Sequence, residues 1–122
     1  MDEQTAIFFE KMQKFLPSTT SKYNEIIKKY DDVLETVIIE DVFMPLILNL
    51  LSENKKQQLL QSIFEYFEEI VNSDNLHLIN ILSITALEML GNDKTILKTA
   101  DQYMGTKTKI LQKKADEELG RV

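Results

Sequence analysis

Apolar residues recur at three- and four-residue spacing along almost the whole chain, and alternation of the kind that marks a half-buried strand is hard to find. The pattern predicts helices. The first covers residues 2–16, with Phe8, Met12, Phe15 and Leu16 on one stripe and Asp2 and Glu3 at its positive end. Pro17 ends it, because the residue before a proline is pushed out of the helical region. The run Ser18-Thr19-Thr20-Ser21 supplies capping chemistry for a second helix over 22–30, whose inner face is Tyr23, Ile26, Ile27 and Tyr30. Asp32 and Glu35 resemble a capping box ahead of residues 33–51. There Pro45 would leave the carbonyl of Asp41 unpaired, and Val37-Ile38-Ile39 has strand propensity without a partner strand. Two short helices, or one kinked near Asp41, are expected, ending near Ser52.

A fourth helix follows, capped by Asn54 and carrying the stripe Leu60, Ile63, Phe64, Phe67, Ile70 and Val71. Ser73-Asp74 restarts the chain. Residues 75–90 are apolar nearly all round, which predicts a central helix contacted from several sides. Gly91, Gly105 and Gly120 each follow an apolar-periodic run, where glycine is expected to take the left-handed conformation just past a helix end. They delimit helices over 93–104 and 106–119. Short connections favour antiparallel neighbours. The expected fold is all-α: one domain over residues 1–122, an irregular bundle of about six to eight antiparallel helices, with HEAT-like helix pairs as a variant.

Composition narrows the chemistry. A chain of 122 residues that is 43% hydrophobic and 28% charged has the balance of a folded domain rather than a disordered one. It holds no cysteine and one histidine, so thiolate metal sites, disulfides and cysteine nucleophiles are out, and a zinc site is improbable. No phosphate-cradling glycine motif is present, and the net charge of −6 disfavours a nucleic-acid binder. The acidic start does not read as a signal peptide, and the apolar stretch Val42–Leu51, interrupted by Pro45 and Asn49, is too short to span a bilayer. A cytoplasmic protein without a membrane segment is expected.

The charge is unevenly spread. Residues 30–93 hold twelve acids and two bases, net −10, whereas the flanks together are net +4. On the fourth helix Glu65 and Glu69 lie opposite the apolar stripe, with Glu68 at its edge. Such a face is either a contact surface for a cationic protein, whose association it would accelerate, or only a solvating surface, the chain then being a helical interaction module with an unrelated partner.

Catalytic patterns are incomplete. Glu65-Tyr66-Phe67-Glu68 offers the first half of the paired-carboxylate pattern by which all-helical nucleotide pyrophosphohydrolases hold Mg²⁺. The second half fails, since Glu88 is followed three residues later by Gly91 and Asp93 is out of step. Glu88, a carboxylate within an apolar helix, is expected to anchor a neighbouring backbone, lysine or tyrosine rather than to react. His77 reads as a packing or loop-facing residue. The cations Lys94, Lys98, Lys107, Lys109, Lys113, Lys114 and Arg121 are spread over two helices and interleaved with acids, which argues against a continuous basic groove. No catalytic residue, metal ligand or cofactor is assigned.

Ile63-Phe64 with Phe67-Glu68, then Ser73-Asp74, then Ile84-Thr85-Ala86-Leu87-Glu88-Met89-Leu90-Gly91, and Tyr103-Met104-Gly105 with Thr108, carry a family resemblance. Over residues 40–120 the chain resembles small all-helical bacterial proteins, some of which look like immunity proteins of contact-dependent growth inhibition and related polymorphic toxin systems. The resemblance implies a non-enzymatic binding protein that neutralises a cognate toxin, in some relatives a ribonuclease A-like nuclease. A basic nuclease domain is the implied partner, and a monomer is the expected state. The acids expected to meet it are Asp31, Asp32, Glu65, Glu68, Glu69 and Asp74, with Glu88, Gly91 and Gly105 in structural roles.

Overall fold

In a computed structural model of the chain, residues 2–30 and 34–121 are described. Asp31 and Asp32 lie outside them. Seven helices and no strand are found among the described residues, so the all-α bundle follows. Helix α1 (Glu3–Phe15) starts on Asp2, whose carboxylate accepts the Thr5 N–H at 2.8 Å. It buries Phe8, Phe9 and Met12. Leu16 ends it ahead of a 3-10 turn at Pro17–Thr19, and helix α2 (Thr20–Lys29) follows. No residue of α2 is fully buried. Tyr23, Ile26 and Ile27 only lean on the core, and Tyr30, expected on the inner face, is 43% exposed.

The doubtful segment is one continuous helix, α3 (35–53). It is built from Glu35–Ile38, a π-helical stretch Ile39–Phe43, and Met44–Glu53. Neither a break nor a strand occurs. In the π stretch the Met44 N–H reaches back five residues to the Ile39 carbonyl. Pro45 then falls in the first turn of the next α-helical stretch, where its missing N–H costs least. Ile38 and Ile39 are buried, so packing overrides their strand propensity.

Asn54 closes α3 in the left-handed conformation (φ 48°) instead of capping the next helix. Helix α4 (Gln57–Val71) buries Leu60, Ile63, Phe64, Phe67 and Ile70, as its periodicity predicts. Helix α5 (76–91) runs through Leu76–Leu82, a second π stretch Ser83–Leu87, and Glu88–Gly91. The two π stretches pack against each other, and α5 also touches α4 and both C-terminal helices, α6 (Lys94–Asp101) and α7 (Thr106–Glu118). Its central position is therefore as expected, although Leu76 is 77% exposed. One core runs from Phe8 to Ala115 and includes the fully buried Phe8, Phe9, Phe43, Phe64 and Phe67. Each such ring contributes about 1.5–3 kcal/mol by leaving water. No helix among the described residues is long and apolar enough to cross a membrane.

Of the three glycines only Gly120 takes the left-handed conformation, at φ 71°. Gly91 is still helical and Gly105 is extended, so close approach is what excludes a side chain there. A Cβ on Gly91 would collide with Asp116 Oδ1 and stand 2.7 Å from Arg121 Nη1.

Candidate functional site

The outward face of α4 follows from its inward one. With Ile63, Phe64, Phe67 and Ile70 in the core, a 100° step per residue turns Glu65 and Glu69 to solvent, and both are exposed. Glu65 accepts a 3.1 Å hydrogen bond from Gln61. Glu69 stands on the rim of a groove of about 750 Å³ between the start of α1, the end of α4 and the start of α5. Asp2, Glu3, Glu69 and Asp74 line this groove, and among the described residues no lysine or arginine does. Exposed Ile7, half-buried Tyr66 and the buried core residue Ile70 give it an apolar wall.

On its other side Glu69 borders a smaller pocket of about 410 Å³ with Glu65, Glu68, Tyr103 and Met104. The two recesses share Glu69 and make one acidic strip. Among the described residues Glu3, Glu65, Glu69 and Asp74 have no ion-pair partner. Burial, and then the Glu69 charge, push the Tyr66 hydroxyl above its ordinary value. The Thr5 N–H is the main cause that holds the Asp2 carboxyl below the usual carboxylate range. Asp2 also lies 3.7 Å from His77, which reaches Glu35 at 3.0 Å and ties the starts of α1, α3 and α5 together. A strip of this kind suits lysine or arginine side chains of another protein: the apolar wall covers their stems and the carboxylates meet their heads.

Glu68 departs from the expected set. Its carboxylate turns to the start of α7, where Oε1 accepts the N–H and the hydroxyl of Thr108 at 2.8 and 2.7 Å. Oε2 accepts the Lys107 N–H at 3.2 Å and the Asn72 amide at 3.1 Å. Burial raises its pKa, but these four donors together outweigh it and hold the carboxyl below its ordinary value. Glu68 is thus a capping residue for α7 supplied by α4, and its oxygens are not free for a partner. The Glu65–Glu68 pair is split by the same geometry, one carboxylate facing water and the other a helix end. Gly105 permits this contact, because a Cβ there would collide with Glu68 Cδ and lie 2.6 Å from its Oε1. The short-range sequence pattern identifies neither partner, since Thr108 lies forty residues from Glu68.

Glu88 also corrects its expected role. Its side chain makes no hydrogen bond or ion pair among the described residues. Its backbone carbonyl is the anchor, accepting Arg121 Nη1 at 2.8 Å. Glu65, Glu69 and Asp74 are brought to one strip, whereas Asp2 and Glu3, read from sequence only as helix-start residues, join it unexpectedly. No cluster of three or more His, Asp or Glu side chains positioned to hold a metal ion occurs among the described residues.

Fold and site define a small all-α bundle with an acidic groove between the starts of α1 and α5 and the end of α4. The chain belongs to a family described as a domain of unknown function, DUF7674, whose model matches residues 9–119. No curated protein and no solved structure matches it.

Proposed function

We propose that this protein is a binding protein that captures a basic partner in the acidic strip, and that the partner is a toxin domain, a ribonuclease-type nuclease, which it neutralises as an immunity protein. The observation that carries the reading is the groove itself: Glu3, Glu69 and Asp74 converge with Asp2 on one recess that no lysine or arginine among the described residues lines. A nuclease must attract a polyanion, so its substrate-binding surface is cationic and matches such a recess in sign. The family resemblance of residues 40–120 supplies the toxin class, and the charge supplies the mechanism, steric and electrostatic cover with no bond made or broken.

The test is co-expression with a basic ribonuclease-type toxin domain, taken from any gene neighbouring this one that encodes a large secreted protein with a variable C-terminal domain. Growth should be protected, and the purified pair should form a 1:1 complex whose association rate falls about tenfold or more from low to high salt. Reversing Glu65, Glu69 and Asp74 together to lysine should abolish protection while the variant melts like the parent. Protection that survives the reversal refutes the acidic strip as the contact surface, and absence of any protection refutes the immunity role.

A further inference from the structure

A groove elsewhere on the molecule has the opposite sign. Lys94 and Lys98 of α6, Lys109 and Lys113 of α7, and Arg121 line a recess of about 420 Å³ together with Asp101 and Asp116. Sequence spacing argues against a continuous basic groove; packing both α6 and α7 onto α5 brings five of the seven C-terminal cations around one recess. Asp101 lies 3.9 Å from Lys109, and Asp116 lies 3.5 Å from Arg121. Lys94, Lys98 and Lys113 have no ion-pair partner among the described residues, which leaves the recess at net +3 in a protein of net −6. Arg121 is held in place by the Glu88 carbonyl and the Asn92 side chain, so its charge is fixed at the rim.

A second observation points to a ligand. Gln112 lines the same recess and is 4% exposed. Its amide nitrogen donates to the Leu87 carbonyl at 2.8 Å and to Asp116 Oδ1 at 3.2 Å, and these two acceptors fix which end of the amide is oxygen. That oxygen, Oε1, is buried without a partner, and only a hydrogen-bond donor can satisfy it. Leu97 adds an apolar contact.

We propose that the groove between α6 and α7 binds a small polyphosphate that also carries hydrogen-bond donors, a nucleoside triphosphate in charge and size. The three unpaired lysines with Arg121 meet the phosphates, and Gln112 accepts from an amino or hydroxyl group of the nucleoside. No residue lining this site lines the acidic groove, so the two readings stand or fall separately.

The experiment is calorimetric titration of the full chain with ATP and, separately, with inorganic triphosphate. ATP should bind and raise the melting temperature, and it should bind about tenfold tighter than triphosphate, the nucleoside's hydrogen bond being the difference. Lys98→Glu with Lys113→Glu should weaken ATP binding by about tenfold or more, whereas Lys22→Glu on α2 should leave it unchanged. All three lysines are exposed, so the variants fold and their melting curves verify it. No ATP binding at roughly millimolar concentration, equal affinity for ATP and triphosphate, or equal losses in the α2 and groove variants overturns the proposal.

Discussion

Glu68 and Thr108 are joined twice through one carboxylate oxygen, which accepts both the N–H and the hydroxyl of the threonine. An acid on α4 thereby does for α7 what an N-cap residue normally does from within its own helix. Gly105, the residue at the cap position, has no side chain to offer and leaves the space that Glu68 fills. This junction fixes the C-terminal helix to the acidic one.

Glu68→Gln places an amide donor against a set of donors, since both oxygens of the carboxylate accept. The substitution is expected to cost about 1–2 kcal/mol and to lower Tm by about 3–6 °C at neutral pH. The folded-state pKa of Glu68 lies below its ordinary value of 4.5. Its contribution is therefore full above that value and is lost as pH falls through the lower, folded value. Melting curves of the parent and the variant should be well separated at pH 7 and draw together in acid below pH 4.5. A separation that persists unchanged would mean that the carboxylate charge is not what holds α7.

Gly105→Ala tests the space rather than the charge. The backbone at Gly105, φ −75° and ψ 172°, suits any residue, so the only cost is the collision of the new methyl group with Glu68. A loss of about 1–3 kcal/mol is expected. In a Glu68→Ala background the same change should cost little, giving a coupling of about 1 kcal/mol or more by a double-mutant cycle. Additive losses would place the strain elsewhere.

Glu88→Ala should leave stability within about 0.5 kcal/mol, because the anchor at this position is the backbone carbonyl that alanine retains. Arg121→Ala should cost more, as it removes donors to that carbonyl and to Asn92. Chemical denaturation of both variants checks the order; the reverse order would return the anchoring role to the Glu88 carboxylate.

Periodicity made the helices legible where burial is one-sided. Leu60, Ile63, Phe64, Phe67 and Ile70 repeat at helical spacing because one face of α4 meets the core, and the outward positions of Glu65 and Glu69 come with them. It left alternatives open where local chemistry competes with packing. Pro45 allows two short helices or one helix irregular near Asp41, and the second form occurs: a π stretch over Ile39–Phe43 absorbs the proline, and the core claims the isoleucines. Asn54 has the chemistry of a start cap but serves as a left-handed stop. Gly91 and Gly105 stand at helix ends as the spacing suggests, but their reason is contact with distant side chains, Asp116, Arg121 and Glu68.

The amino-acid order alone determined the all-α class, the inward stripe of α4, the central place of residues 75–90 and the excess of acid between residues 30 and 93, because each depends on neighbours a few residues away. Tertiary structure decided which charges share a surface. It set Asp2 and Glu3 beside Glu69 and Asp74, withdrew Glu68 into a helix cap, and gathered scattered lysines around Gln112. The physical reason is that helical spacing fixes the direction of a side chain about its own axis, whereas the neighbour it meets depends on how separate helices pack to bury one common core.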